Sequence, residues 1–211
     1  MAKLKKEMNI IINGVGGQGL ITLQKVLALA AIKSERDVKT SELHGLSQRG
    51  GSVEAHVRYG KKTYSPLVPK GQATMIFSLE TQEALVASYY ASKKGQTIFF
   101  INQYRTPTFT ETIPDEKILS ELKKISSNIF LIPASDICQK ELGNPVVAGI
   151  FLLGFAFFGN HEKAVPLKRT LDPYETTLEV SSLEGALREV VPEKYLELNL
   201  KAFNLGKDYK I

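Results

Sequence analysis

The sequence predicts an α/β layered, Rossmann-like fold, with a mostly parallel central sheet and helices on both faces. Short apolar runs such as residues 8–13 (MNIIIN) are typical of strands that are buried on both faces. Longer segments of helix-forming residues alternate with these runs, beginning with residues 20–33. A glycine-rich loop joins the first strand to the first helix. Because strands that alternate with helices form parallel sheets, these three observations together indicate the α/β class.

The predicted strands are short and mostly apolar. Residues 52–58 alternate apolar with polar side chains, which predicts a half-exposed strand. Gly60 and the two lysines that follow it predict a turn, and residues 63–65 are expected to return as a β-hairpin before Pro66. The strands predicted in chain order are residues 8–13, 37–43, 52–58, 73–79, 97–102 and 128–132.

The predicted helices carry their own start and stop signals. Pro145 is expected in the first turn of its helix, where a missing N–H group costs nothing. Gly206 is expected to end the last helix as its C-cap. The apolar run 146–158 is too short to span a bilayer, which takes about 20 helical residues, so it is predicted to be a buried core helix. The helices predicted in chain order are residues 20–33, 80–92, 114–125, 135–142, 145–158, 182–190 and 193–205.

The composition fits a single domain that extends over residues 1–211. Hydrophobic residues make up 43% and charged residues 23%, which is an ordinary globular balance. The net charge of +5 comes largely from lysines near the two ends. Such lysines are usually solvated, and they also suit an acidic partner or a phosphorylated cofactor. The sequence lacks the interleaved aromatic and basic residues that are typical of RNA-binding proteins, so it does not predict a nucleic-acid partner.

The chain contains one cysteine, Cys138, in a segment predicted to be a short amphipathic helix. One cysteine excludes an intramolecular disulfide and a four-cysteine iron–sulfur site. This cysteine usage predicts a cytoplasmic protein, and Cys138 itself is expected to be a buried, unreactive thiol. The charged start of the chain does not predict a signal peptide, and no segment predicts a membrane span.

The loop after the first strand matches the spacing G-x-G-x-x-G, and it stands between a strand and a helix as a dinucleotide-binding loop does. In such a loop the first glycine permits the turn, the second allows close approach of a phosphate, and the third lets helix and strand pack closely. A diphosphate would suit the N–H groups at the start of the helix. A tight turn without a ligand is the alternative. NAD binding is less well supported, because Asp37 comes too early and Glu42 too late for the ribose-binding acid. The candidate residues of this glycine loop are Gly14, Gly16, Gly17, Gln18 and Gly19.

A second loop, residues 44–51, is unusually rich in hydrogen-bond donors and glycines. Such a loop suits a phosphate, a carboxylate or the backbone of a partner. Two plainer alternatives remain, since Arg49 also suits an ion pair with Glu42 and His44 suits a structural hydrogen bond. We expect residues 47–52 to meet the glycine loop at the carboxyl end of the sheet, where open α/β sheets bind ligands. Its candidate residues, together with the end of the preceding strand, are Glu42, His44, Ser47, Gln48, Arg49, Gly50 and Gly51.

Four sequence segments together resemble one family. The segments are GVGGQG, SELHGLSQRGGSVEAHVRYG, YSPLVPKGQAT and the C-terminal ELNLKAFNLGKDY. In this combination they are similar to the small subunits of indolepyruvate:ferredoxin oxidoreductases and, more broadly, to the gamma domain of pyruvate and other 2-oxoacid:ferredoxin oxidoreductases. GVGGQG alone is a weak signal, whereas GVGGQG followed at this distance by HGLSQRGGSV is specific.

The resemblance implies a subunit of an enzyme that oxidatively decarboxylates a 2-oxoacid with coenzyme A, giving an acyl-CoA, carbon dioxide and reduced ferredoxin. It implies a large (alpha) partner subunit that carries thiamine diphosphate, Mg²⁺ and [4Fe–4S] clusters. In the indolepyruvate branch the substrate is an aryl pyruvate. No catalytic residue or metal ligand is expected on this chain, whose two loops are expected to line a cofactor site or the subunit interface.

Two other functions fit parts of the sequence. A stand-alone NAD- or flavin-dependent oxidoreductase would explain the glycine loop, but it would leave the second loop without a role. A nucleic-acid-binding protein is suggested only by the isoelectric point of about 9.1. Within the resembled family, a gamma subunit that serves pyruvate or another 2-oxoacid is a further alternative, because a fold does not fix a substrate.

Overall fold

The structure is a computed structural model that describes residues 7–44, 51–92, 94–107, 113–159 and 178–210. Its centre is a six-stranded sheet in the order β2-β3-β1-β4-β5-β6. The predicted strands are all present, with ends that differ by a few residues. The strands are β1 (Glu7–Val15), β2 (Asp37–His44), β3 (Ser52–Gly60), β4 (Met75–Ser78), β5 (Ile98–Asn102) and β6 (Ile129–Ile132).

The helices of the described residues pack on both faces of the sheet. The first helix has the predicted bounds, whereas the predicted helix 80–92 is shorter and continues as the 3-10 turn Ser88–Tyr90. Another 3-10 turn, Pro145–Val147, precedes the apolar helix. Within the described ranges, no helix combines the length and apolar character needed to cross a bilayer. The helices are α1 (Leu20–Lys33), α2 (Glu83–Ala87), α3 (Asp115–Lys123), α4 (Ala134–Leu142), α5 (Ala148–Phe158), α6 (Val180–Val190) and α7 (Glu193–Asp208).

The sheet is mixed but mostly parallel, as predicted. β1, β4, β5 and β6 pair in parallel, whereas β3 is antiparallel to both β1 and β2. β2 therefore points in the same direction as β1 but is separated from it by β3. The antiparallel pairing belongs to β2 and β3, on either side of the second loop. The predicted β-hairpin with a return strand at 63–65 is wrong, because that segment is not a strand.

The prediction that β3 is half-exposed is also wrong. The segment 61–72 covers its polar face, so that His56 and Arg58 are buried. The Arg58 guanidinium donates hydrogen bonds to two carbonyl oxygens of this segment, and the N–H of Val68 donates to His56 Nδ1 at 3.0 Å. Side chains of β3 thus satisfy backbone groups that a return strand would otherwise have paired.

Apolar side chains of each parallel strand face two separate cores. On β1, Ile10 and Ile12 face the larger core beneath α1, α5, α6 and α7, while Ile11 faces the smaller core beneath α2 and α3. Phe100 and Phe130 stack in the larger core with ring centroids 5.4 Å apart. This burial on both faces follows from the period of two in a strand, and it fixes the register of the sheet.

The apolar helix α5 crosses α7 at two glycines. A Cβ atom on Gly154 would overlap the carbonyl oxygen of Phe203, and one on Gly206 would overlap that of Phe151. The two backbones therefore approach more closely than any side chain would allow. The prediction that Gly206 caps the last helix is wrong, since α7 continues to Asp208 and Gly206 serves helix packing instead.

Alanine at Gly154 or at Gly206 should destabilise the fold by about 2 kcal/mol or more, because overpacking a close contact outweighs the gain of about 1 kcal/mol in helix propensity. Gly185 in α6 is the matched control. A Cβ there would lie 3.6 Å from the side chain of Lys33, an ordinary contact, so Gly185→Ala should leave stability unchanged or raise it. Urea unfolding of the three variants measures their free energies of unfolding. Equal values would contradict the close backbone contact between α5 and α7.

Candidate functional site

The candidate site lies at the carboxyl end of the sheet, where the chain leaves neighbouring strands in opposite directions. After β1 the chain crosses over to β2 on one side, and after β4 it crosses over to β5 on the other. The loops that follow β1 and β4 therefore diverge and leave a crevice between them. Open α/β sheets bind ligands at such a point.

The glycine loop uses its glycines for two distinct purposes. Gly17 and Gly19 have φ angles of 105° and 81°, a left-handed conformation that other residues rarely adopt. Gly14 is instead required for space, since a Cβ atom there would lie 2.6 Å from Gln18 Oε1. The later glycines therefore make the turn and the first makes room, which differs from the order of roles expected from the motif alone.

The side chain of Gln18 turns back into its own loop. Its Oε1 accepts a hydrogen bond from the N–H of Val15 at 2.9 Å, and its Nε2 donates to Glu80 Oε1 at 2.6 Å. The hydroxyl of Thr106 donates to the same Glu80 oxygen. Gln18 thus connects the glycine loop to the loops that follow β4 and β5.

The two predicted loops meet at the end of β1, where the glycine loop contacts the residue just before β3. The N–H of Gly16 donates to the carbonyl oxygen of Gly51 at 3.1 Å. Glu42 is exposed at the end of β2, and the backbone of His44 ends that strand. Four predicted site residues lie outside the described residues, namely Ser47, Gln48, Arg49 and Gly50.

Two cavities flank the glycine loop. A cavity of about 360 Å³ lies on the α1 side and is lined by loop glycines, the first turn of α1 and Val53. A second cavity of about 390 Å³ lies between the glycine loop, the start of α5 and the segment after β5. Polar side chains among the lining residues of this second cavity are Gln18, Asn102, Tyr104, Thr106 and Ser135.

The first turn of α1 places backbone N–H groups at the first cavity. The first intrahelical hydrogen bond runs from the N–H of Leu23 to the carbonyl oxygen of Gly19, so the three preceding N–H groups have no such partner. No side chain caps this helix, and its first turn contains no acidic residue. Both features favour an anion there, because the helix dipole adds partial positive charge.

Carboxylates gather at the opposite side of the crevice. The hydroxyl of Ser52 donates to Glu83 Oε2 at 2.6 Å. Burial raises the pKa of Glu83, the Ser52 hydrogen bond lowers it, and repulsion from Glu80 and Glu54 raises it further. An anionic ligand is therefore favoured on the α1 side of the glycine loop and disfavoured here.

Glu54 anchors a part-buried hydrogen-bonded group beside these carboxylates. Its Oε1 accepts from the Tyr90 hydroxyl at 2.7 Å and from His56 Nε2 at 2.9 Å. Because His56 Nδ1 accepts from the backbone, the ring is neutral and carries its proton on Nε2. Burial and the Glu54 hydrogen bond raise the pKa of Tyr90, so its hydroxyl stays protonated.

Polar residues at the strand ends also belong to this site, although the sequence did not predict them. Ser78 Oγ donates to Asn13 Oδ1 at 2.7 Å, and Asn102 Nδ2 donates to Ser135 Oγ at 2.7 Å. A usable signal was present, because a polar residue near the carboxyl end of an otherwise apolar strand predicts a position at the crevice. Glu80 gave no such signal, since it follows the end of β4 and looks like an ordinary residue at the start of a helix.

Cys138 is buried in α4, as predicted. Burial raises the pKa of its thiol to about 12, so the thiolate that nucleophilic chemistry needs is suppressed. Among the described residues, no group of three or more histidine, cysteine, aspartate or glutamate side chains is placed to hold a metal ion.

Comparison with known proteins gives a match over nearly the whole chain. The model of the family described as pyruvate ferredoxin/flavodoxin oxidoreductase matches residues 9–209. A curated relative from Archaeoglobus fulgidus, named indolepyruvate oxidoreductase subunit IorB, is 32% identical, and the alignment covers 97% of this chain and 96% of the relative. A protein of the same name from Thermococcus kodakarensis is 33% identical, with 95% of each chain covered.

A solved structure has the same fold. The gamma subunit of a keto/oxoacid ferredoxin oxidoreductase from Geobacter sulfurreducens superimposes with a TM-score of 0.65 at 23% identity. The superposition covers 95% of this chain and 96% of that one.

The raised pKa of Glu83 predicts a pH-dependent effect on stability. A carboxyl group with a raised folded-state pKa stabilises the fold while it is protonated, and this contribution is lost as the pH rises through that pKa. Glu83→Gln keeps an acceptor for Ser52 and removes the charge, so it should melt at a slightly higher temperature than the native chain at pH 7. The advantage should shrink as the pH falls through the raised pKa towards 4.5, the ordinary glutamate pKa, and it should be absent below that pH. Thermal melts from pH 4 to pH 8 measure this, and a pH-independent difference would contradict it.

Proposed function

This chain belongs to the pyruvate ferredoxin/flavodoxin oxidoreductase family, and we propose that it is the small subunit of a complex that oxidatively decarboxylates indolepyruvate and other aryl pyruvates. The complex uses coenzyme A as the acyl acceptor and produces an acyl-CoA, carbon dioxide and reduced ferredoxin. The observation that carries this proposal is the near full-length likeness to two relatives named indolepyruvate oxidoreductase subunit IorB. The joined glycine and second loops supply the site.

In this proposal the large (alpha) subunit holds thiamine diphosphate, Mg²⁺ and the [4Fe–4S] clusters. The single cysteine of this chain supports that division, because a cluster needs four cysteine ligands and Cys138 is buried. Thiamine diphosphate, when bound, supplies the electron sink for the carbanion left by decarboxylation. The residues of this chain bind and orient a ligand and exclude water from it. A cytoplasmic location is part of the same proposal and agrees with the single, unpaired cysteine.

The α1 side of the glycine loop is the proposed position of a diphosphate, from coenzyme A or from thiamine diphosphate, at the subunit interface. N–H groups at the start of α1 that have no intrahelical partner open towards it, and none of the described residues that line the 360 Å³ cavity carries a carboxylate. Gly17 and Gly19 let the backbone turn close to the ligand. Ser47, Gln48 and Arg49 of the second loop provide polar contacts, and Glu42 and His44 orient the loop.

The strand order supports this function over an NAD-dependent one. In a dinucleotide-binding fold the acid that holds the ribose follows the strand next to β1. Here β3 occupies that place, and Glu42 at the end of β2 lies one strand farther away, about 10 Å from β1 by strand spacing. A gamma subunit for pyruvate or another 2-oxoacid is the second candidate, since the family model bears that broader description.

Co-expression with the large subunit tests the proposal. Anaerobic reduction of ferredoxin should require both chains, coenzyme A and a 2-oxoacid, and indolepyruvate should have the highest kcat/KM in a panel of acids. A complex that prefers pyruvate or a branched-chain acid would move the chain to the second candidate. Retention of NAD by the lone chain, with no complex and no activity, would contradict the family role altogether.

Arg49→Ala should lower the kcat/KM of the reconstituted complex by about tenfold, the usual effect of losing one charge-assisted hydrogen bond. The thermal stability of the isolated chain should not change. Arg188 is exposed in the last turn of α6, so Arg188→Ala serves as the control and should leave kcat/KM unchanged. Equal activity of both variants would remove Arg49 from the site.

A further inference from the structure

We propose that Glu80 is a positioning residue that holds the glycine loop in the conformation that receives a diphosphate group. The inference rests on the proposed function, because it concerns the ligand of the same site. Glu80 lies in the loop between β4 and α2, and only 6% of its surface is exposed. Its carboxylate accepts hydrogen bonds from residues that line the crevice, and it does not line the cavity on the α1 side.

Glu80 joins three loops of the carboxyl edge. Its Oε1 accepts from Gln18 in the loop after β1 and from Thr106 in the segment after β5. The next residue adds a backbone bond, since the N–H of Thr81 donates to the carbonyl oxygen of Tyr104 at 3.1 Å. The loop after β4 therefore fixes the separation of the two others.

Glu80 acts on the glycine loop through the side-chain amide of Gln18. Donation from Nε2 to a carboxylate is a charge-assisted hydrogen bond, and it makes Oε1 of the same amide a better acceptor for the N–H of Val15. The absent side chain of Gly14 leaves room for that amide. Without Glu80, the amide has no charged partner to keep it against the loop.

A fixed loop matters because it faces both cavities. Gly16 and Gly17 line each of them, so a movement of the loop changes the donors offered to a ligand on the α1 side. A loop that is already ordered loses less conformational freedom when a ligand binds. Glu80 acts through hydrogen bonds and not by attraction, since its own charge would repel a diphosphate.

The main experiment uses the reconstituted complex with Glu80→Ala and Glu80→Gln. The alanine variant should raise, about tenfold, the KM for coenzyme A or the concentration of thiamine diphosphate needed for activation, the size of effect expected for one lost hydrogen bond to a charged group. Whichever of the two constants changes identifies the source of the diphosphate. The KM for the 2-oxoacid should stay constant. Glutamine retains an oxygen that accepts from Gln18 and Thr106 but loses the charge, so Glu80→Gln should raise the same constant by less than alanine does, by about threefold.

Glu54→Ala is the matched control. Its Oε1 also accepts two side-chain hydrogen bonds at the same edge, but it does not bond the glycine loop. This variant should leave both diphosphate constants unchanged. The proposal is overturned if Glu80→Ala leaves both constants unchanged, if glutamine is as damaging as alanine, or if both alanine variants raise every constant together.

Amide hydrogen exchange of the lone chain separates this inference from the proposed function. In Glu80→Ala the amide of Val15 should exchange faster, while protection in the rest of β1 is kept. Gln18→Ala should have the same effect, and the double variant should add nothing to either single change. An inactive native complex would refute the proposed function, yet exchange at Val15 would still decide the role of Glu80. Unchanged exchange at Val15 would overturn it.

Discussion

Strand β1 is the constraint on which the rest of the structure depends. It is buried on both faces, and its backbone groups pair with β3 on one side and β4 on the other. A strand in that position needs an apolar sequence without interruption and a partner on each edge, because unpaired buried peptide groups are costly. The end of β1 is therefore held in place, and this fixes where the glycine loop begins.

The carboxyl edge is held together by buried and part-buried polar side chains. Glu80 and Glu54 each accept two side-chain hydrogen bonds, and each connects segments that are far apart in sequence. Carboxylates suit this role, because one oxygen accepts several donors and its charge strengthens each bond. Their cost is electrostatic repulsion at this edge, which adds to the effect of burial in raising the pKa of Glu83. The two sides of the glycine loop consequently differ in charge, and the side near α1 suits an anion.

Small residues shape this molecule wherever two backbones approach closely. Gly154 and Gly206 let α5 and α7 cross in direct contact, while Gly14 makes room for one amide side chain. Gly17 and Gly19 serve a different purpose, since their positive φ angles form the turn itself. A glycine in this sequence therefore serves either close packing or a left-handed turn, and the surrounding structure determines which of the two.

The sequence by itself determined the elements, their order and the place of the candidate site. Short apolar runs located every strand of the sheet, and segments of helix-forming residues located most helices of the described residues. The glycine spacing after β1 located one loop, and the resemblance to a family supplied the function. These signals are local, so a single stretch of chain carries each of them.

Only the tertiary structure decided which elements became neighbours. The insertion of β3 between β1 and β2, the cover over the polar face of β3, and the contact of Gly206 with α5 all join residues far apart in the sequence. Glu80 became part of the site for the same reason, since its partners Gln18 and Thr106 belong to loops on other strands. Contacts of this kind depend on how layers pack and on which buried groups must be satisfied, and no local pattern of residues records them.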